Sequence, residues 1–126
     1  MAYLIDTDVL IDVTKGKEAA MNYLDRLPED WSISVVTAME LVAGARDRRE
    51  IGKIDEFLEA IPMVALSPGV GTKAYELLKG YAKSHGLRIF DAIIAAAAIE
   101  GGKTLVTRNQ KHFRMIPDLK LDIPEY

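Results

Sequence analysis

Asp6 and Asp8 directly follow the apolar run Tyr3-Leu4-Ile5 and precede Val9-Leu10-Ile11. A carboxylate at the end of a buried strand is costly to desolvate unless it is hydrogen-bonded, paired or bound to a cation. Open α/β sheets place their ligands outside the carboxyl ends of their strands. Two more acids, Glu40 and Asp91, each follow a strand-like or loop segment and each open a helix. Carboxylates converging on one sheet edge repel one another, which raises some of their pKa values. A divalent cation relieves that repulsion, polarises a phosphoryl oxygen and helps deprotonate a water. Asp6, Glu40 and Asp91 are therefore candidate metal ligands for phosphate-ester chemistry.

Each acid also has a purely structural reading. Asp6 and Asp8 are turn formers, and Asp8 suits the N-cap of a first helix. Thr37-Ala38-Met39-Glu40 has the form of a capping box, with Glu40 hydrogen-bonded back to the Thr37 backbone. Asp91 in a first helical turn complements the helix dipole. Thr107 and Asn109 follow the apolar segment Leu105-Val106 and reach the same edge. Being neutral, they can position a water or a ligand without adding charge, or Asn109 can cap the next turn. Asp12 reads as a solvated face residue, and His112 as a surface or packing residue. Arg46, Arg48, Arg49, Arg108, Lys111 and Arg114 either hold flanking phosphates or form a solvated charged face.

The elements that must position these groups alternate along the chain. Ala2–Ile5 reads as a buried strand, Thr7–Thr14 and Lys17–Leu27 as helices, and Trp31–Val36 as a strand. Thr37–Ala43 is a short helix ended by Gly44, and Arg46–Ala60 is amphipathic, with Ile51, Ile54, Phe57, Leu58 and Ile61 in one stripe. Met63–Leu66 is a strand, Val70–Ser84 a helix with Gly86 as its C-cap, and Phe90–Glu100 an apolar helix that belongs at the centre. Lys103–Val106 is a strand, Asn109–Phe113 a helical turn, and Leu119–Ile123 an edge strand. This alternation predicts a three-layer α/β/α fold around a central, mainly parallel sheet with right-handed crossovers.

Bulk properties narrow the function classes. The 126 residues fit a single domain spanning 1–126, with 49% apolar and 28% charged residues. There is no cysteine, which excludes disulfides and thiolate metal sites and fits a reducing compartment. With two histidines, a metal here is held mostly by oxygen, which favours magnesium or manganese. A net charge of −3 argues against holding nucleic acid by bulk electrostatics. No signal-peptide pattern opens the chain, and the apolar run 92–99 is too short to span a bilayer. A cytoplasmic location is expected.

Four segments in order resemble the PIN-domain nucleases, in particular the VapC toxins of type II toxin–antitoxin systems. They are Leu4-Ile5-Asp6-Thr7-Asp8-Val9-Leu10-Ile11, Thr37-Ala38-Met39-Glu40-Leu41, Phe90-Asp91-Ala92-Ile93-Ile94-Ala95-Ala96 and Leu105-Val106-Thr107-Arg108-Asn109. The resemblance implies a magnesium- or manganese-dependent endoribonuclease, a homodimer silenced by a cognate VapB-type antitoxin. It places Asp6, Glu40 and Asp91 at the metal positions, with Asn109 and Thr107 completing the catalytic set. Many relatives carry a fourth acid where this chain has His112; the fourth ligand is then absent, replaced through water, or supplied by Asn109 or Asp8, which points to one well-held ion and a second recruited by the RNA phosphate. Two rivals stay open. A haloacid-dehalogenase-type phosphatase also begins with a strand ending in Asp-x-Asp, with Asp6 as nucleophile and Thr37 and Lys103 imitating its other motifs. The other is a binding module with catalytically silent carboxylates.

Overall fold

The computed structural model describes residues 2–126. In chain order it holds strand β1 (Tyr3–Ile5), helices α1 (Thr7–Thr14) and α2 (Glu18–Asp25), and strand β2 (Trp31–Ser34). Helices α3 (Val35–Ala43) and α4 (Arg48–Leu58) lead to strand β3 (Met63–Val64). Helices α5 (Pro68–His85) and α6 (Ile89–Glu100) lead to strand β4 (Thr104–Val106), a short 3-10 helix (Gln110–His112) and strand β5 (Leu121–Asp122).

Successive strand residues point to opposite faces, and here both faces are covered. Leu4 and Leu105 enter an apolar cluster with α5 and α6, including Leu77, Ile94 and Ala95. Ile5 and Val106 enter a second cluster with Leu10, Leu41 and Leu58 of the other helices. Strands buried on both sides read as continuous apolar runs, which is why β1 and β4 carry so few polar residues. The result is the expected three-layer α/β/α arrangement. Ala92, Ala95, Ala96 and Ala98 are fully buried; their small side chains let α6 lie close against the sheet. Gly86 ends α5 at φ +68°, a left-handed conformation that costs glycine little.

All strand pairings are parallel, in the order β3-β2-β1-β4-β5. From β1 the chain steps outward to β2 and β3. It then crosses back to place β4 on the other side of β1, with Ile5 in register with Val106. The order therefore reverses between β1 and β4. At such a switch point the connections leave in opposite directions and open a crevice at the strands' carboxyl ends.

One boundary corrects the sequence reading. The β-branched pair Val35-Val36 reads as the end of a strand, but β2 stops at Ser34 and α3 begins at Val35. The Ser34 hydroxyl caps the helix by accepting the Val36 N–H at 3.1 Å. Thr37 thus lies inside α3, fully buried, and is not an N-cap. Among the described residues no helix is long and apolar enough to cross a membrane.

Candidate active site

Asp6 is the residue at which β1 becomes α1. Its N–H donates to the Val106 carbonyl at 2.9 Å, the last rung toward β4. Its Oδ1 accepts the Thr7 N–H at 2.8 Å, so Asp6, not Asp8, caps α1. Its Oδ2 accepts the Thr107 hydroxyl at 2.8 Å. Thr107 is itself buried, and its oxygen accepts the Asn109 N–H at 3.0 Å. A chain of donors therefore runs from the loop after β4 to the carboxylate after β1.

Glu40 is held differently from the capping-box expectation. Its Oε1 accepts the Thr7 hydroxyl at 2.6 Å. The Thr7 and Thr37 oxygens are 3.0 Å apart. A hydroxyl has one proton, so when Thr7 donates to Glu40, Thr37 donates to Thr7. Asp8 reaches across to the same loop: its Oδ2 accepts the Arg108 N–H at 2.9 Å, and its Oδ1 the Val9 N–H at 2.8 Å. Asp91 stands in the first turn of α6, its Oδ2 3.7 Å from His112 Nδ1. His112 is thus a surface residue, as read from the sequence, that also faces an acid of the site.

Asp6, Asp8, Glu40 and Asp91 line one cleft with Asn109 and His112. Its volume of about 490 Å³ is that of a small-ligand site, which runs from roughly 300 to 1,000 Å³. Burial, reinforced by the neighbouring Asp8 charge, pushes the Asp6 carboxyl from the ordinary 3.8 up to about 7, against the hydrogen bonds from Thr107 and Thr7. Burial also raises Asp8, against the Arg108 and Val9 amides. Asp91 is raised by burial and by Glu40, while His112 and Arg88 oppose the shift. Desolvated acids crowded in one cleft are what a hard divalent cation binds, and every donor here is an oxygen or an imidazole. Among the described residues no three His, Asp or Glu side chains have the spacing of a formed metal site; hydroxyls and amides hold Asp6, Asp8 and Glu40 in place.

Other sequence candidates lie elsewhere. Asp12 is not a solvated face residue: its Oδ2 accepts from Arg108 at 3.0 Å and from the Tyr126 hydroxyl at 2.8 Å. Arg108 in turn lies 4.8 Å from the Tyr126 ring centroid. Arg46 is paired with Glu50 at 2.9 Å. Neither arginine lines the cleft. Sequence reasoning also missed Arg88, Ile89 and Phe90, which line the cleft beside Asp91.

The phosphatase alternative fails on placement. Lys103 precedes β4 and donates to Ser32 Oγ at 3.0 Å, at the amino edge of the sheet. Asp6 is at the carboxyl edge, and the Thr37 hydroxyl is buried against Thr7. The three groups that phosphatase chemistry needs do not meet.

An open parallel sheet with a carboxylate-lined crevice at its switch point fits a PIN domain, and the PIN domain profile matches residues 3–118. Ribonuclease VapC19 of Mycobacterium tuberculosis is 33% identical over 121 residues, covering 93% of this chain and 96% of that one. A solved toxin–antitoxin complex from Klebsiella pneumoniae superposes with a TM-score of 0.81 at 29% identity, over 98% of both chains. VapBC2 of Rickettsia felis, bound to a DNA fragment from its promoter, gives 0.81 at 28% identity over 99% of this chain and 100% of that one. The chain belongs to the PIN-domain family and, within it, to the VapC ribonucleases.

Proposed function

We propose that this chain is a magnesium- or manganese-dependent endoribonuclease, the toxin of a VapBC-type pair. The observation that carries this reading is the meeting of Asp6, Asp8, Glu40 and Asp91 in one cleft at the β1/β4 switch point. Asp6 and Asp91 would hold the ion, with Glu40 completing the set directly or through water. When bound, the ion supplies charge for a phosphoryl oxygen and makes a water more acidic.

The chain's own residues do the rest. Thr107 fixes the Asp6 carboxylate by holding Oδ2, and Asn109 offers a neutral amide beside it. Glu40, steadied by Thr7, orients the attacking water. In-line attack on the phosphodiester leaves a 5′-phosphate and a 3′-hydroxyl. Asp6, Glu40, Asp91 and Asn109 form the catalytic set; Thr107, read from the sequence as a ligand-positioning member of it, is buried outside the cleft and positions Asp6 instead. With His112 in place of a fourth acid, one ion is held by the protein alone.

The solved relatives are toxin–antitoxin complexes, and we extend to this chain a cognate VapB-type antitoxin and a homodimeric state. We extend to it a cytoplasmic location as well, in keeping with a chain that has no cysteine.

Purified protein incubated with total RNA in magnesium, manganese or EDTA tests the reading, beside Asp6→Asn. Fragments with 5′-phosphates that need the metal and vanish in the variant support it. Equal cleavage by a folded Asp6→Asn protein defeats the site assignment.

A further inference from the structure

The cleft has a wall that the hydrolysis leaves unused. Arg88, Ile89 and Phe90 line it opposite the α1 acids. Ile89 is 63% exposed and Phe90 53% exposed, although from Ala92 onward α6 is mostly buried. Packing fixes the alanines of this helix, but nothing in the core calls for an aromatic ring at position 90.

We propose that Phe90 is the platform on which a base of the RNA stacks next to the scissile phosphate, with Ile89 extending the apolar surface. The inference rests on the ribonuclease reading above. Three observations support it. Phe90 and Asp91 are consecutive, so their α-carbons are about 3.8 Å apart. A phosphate placed at Asp91 brings its own sugar and base within reach of the ring. Next, the cleft is short of positive charge. The chain carries −3 overall, and four acids but a single arginine, Arg88, line the site. A polyanion held here needs a contact that is not ionic. Lastly, Arg88 caps α6 beside the same wall, a fitting partner for the next phosphate along the strand. A base must be unpaired to stack on a side chain, so the platform takes an unpaired base.

Trp31 is the only tryptophan and begins β2 at the opposite edge of the sheet. A Trp31→Phe, Phe90→Trp double variant therefore carries one indole, at the proposed platform. The test titrates this protein with a single-stranded oligoribonucleotide in EDTA, where no cleavage is needed, after its melting curve shows that it is folded. Saturable quenching is expected, absent with an abasic oligomer of equal charge and with the duplex. In steady-state cleavage, Phe90→Ala should raise KM roughly 10- to 100-fold, the worth of one stacked base, and leave kcat within a few-fold. Phe90→Trp should keep the wild-type KM, and Phe90→Leu should not.

Quenching that is equal with the abasic oligomer, or a wild-type KM in Phe90→Leu, overturns the proposal. So does Phe90→Ala that becomes monomeric on size exclusion, which assigns the ring to pairing with a second copy. Saturable base-dependent quenching without any cleavage by the wild-type protein would retain the platform and sink the nuclease reading instead.

Discussion

Thr107 donates its hydroxyl to Asp6 at 2.8 Å, across 101 positions of sequence. This bond joins the ends of β1 and β4 and keeps one oxygen of the most desolvated acid in a fixed place. It also lowers the Asp6 pKa against the pull of burial.

Removing that hydroxyl while keeping the shape should therefore be felt at the site rather than in the core. Thr107→Val should fold, and it should lose roughly 10- to 100-fold in cleavage rate at neutral pH, as when a metal ligand loses its supporting hydrogen bond. Without the bond the Asp6 pKa rises further, so part of the loss should return at higher pH. A pH–rate profile with an unshifted acidic limb would contradict this account.

Asp6→Asn should be inactive yet more stable than wild type at pH 8. The folded Asp6 carboxyl titrates near 7 against an ordinary 3.8. Between those values the native state holds a proton that the unfolded state has released. Its contribution to stability is full below about pH 4 and is lost as pH rises through 7. At about 1.4 kcal/mol per unit, the wild-type cation-free protein carries a penalty of about 2 to 4 kcal/mol at pH 8, which Asn avoids. Urea denaturation of both proteins at pH 5 and pH 8 checks the sign: the gap should open at the higher pH.

Thr7→Val leaves Glu40 without its donor and Thr37 without its acceptor. A lost hydrogen bond to a charged group costs about 1.5 to 3 kcal/mol in favourable cases, and Glu40 is partly solvated, so melting should fall only modestly. The larger effect should be on kcat, with KM little changed, because Glu40 acts on the water. Thr7→Ser should rescue it. Single-turnover cleavage separates the two parameters.

Magnesium or manganese should raise the melting temperature of the wild-type protein and leave Asp6→Asn nearly unmoved, since a ligand of the native state alone stabilises it. Titration calorimetry should count one ion. His112→Asp puts an acid where Asp91 now faces an imidazole at 3.7 Å, and it should tighten binding or admit a second ion. Unchanged stoichiometry and affinity would place residue 112 outside the metal's reach.

Much of the fold was legible because its signals are local. Helix α1 was read to the residue, and Gly86, Gly101 and the alanine run marked α5 and α6. Local signals misled where two of them competed. Val35-Val36 has β propensity, yet Ser34 offers a cap just before it, and the cap decides the boundary. Thr37 and Glu40 match a capping box in spacing, but a partner 33 residues away, Thr7, takes Glu40 instead. The acids were legible as types at strand ends. Thr107 was legible at the same edge, but its bond to Asp6, the role of Thr7 and the Tyr126–Asp12–Arg108 cluster were not, because they exist only once distant segments touch. Phe90 was read as part of an apolar helix, since nothing in the chain announces which face of a first turn stays in water.

The reversal of strand order between β1 and β4 has a consequence for a chain still being synthesised. The cleft needs Asp6 from the end of the first strand and Thr107 from just beyond the fourth, so the 101 positions between them must emerge before both walls exist. Parallel pairings between such distant segments are slow to form, because loop closure precedes any gain from contact. A chain still on the ribosome therefore lacks the bond between Asp6 and Thr107, and with it a formed cleft, until that late stretch has emerged.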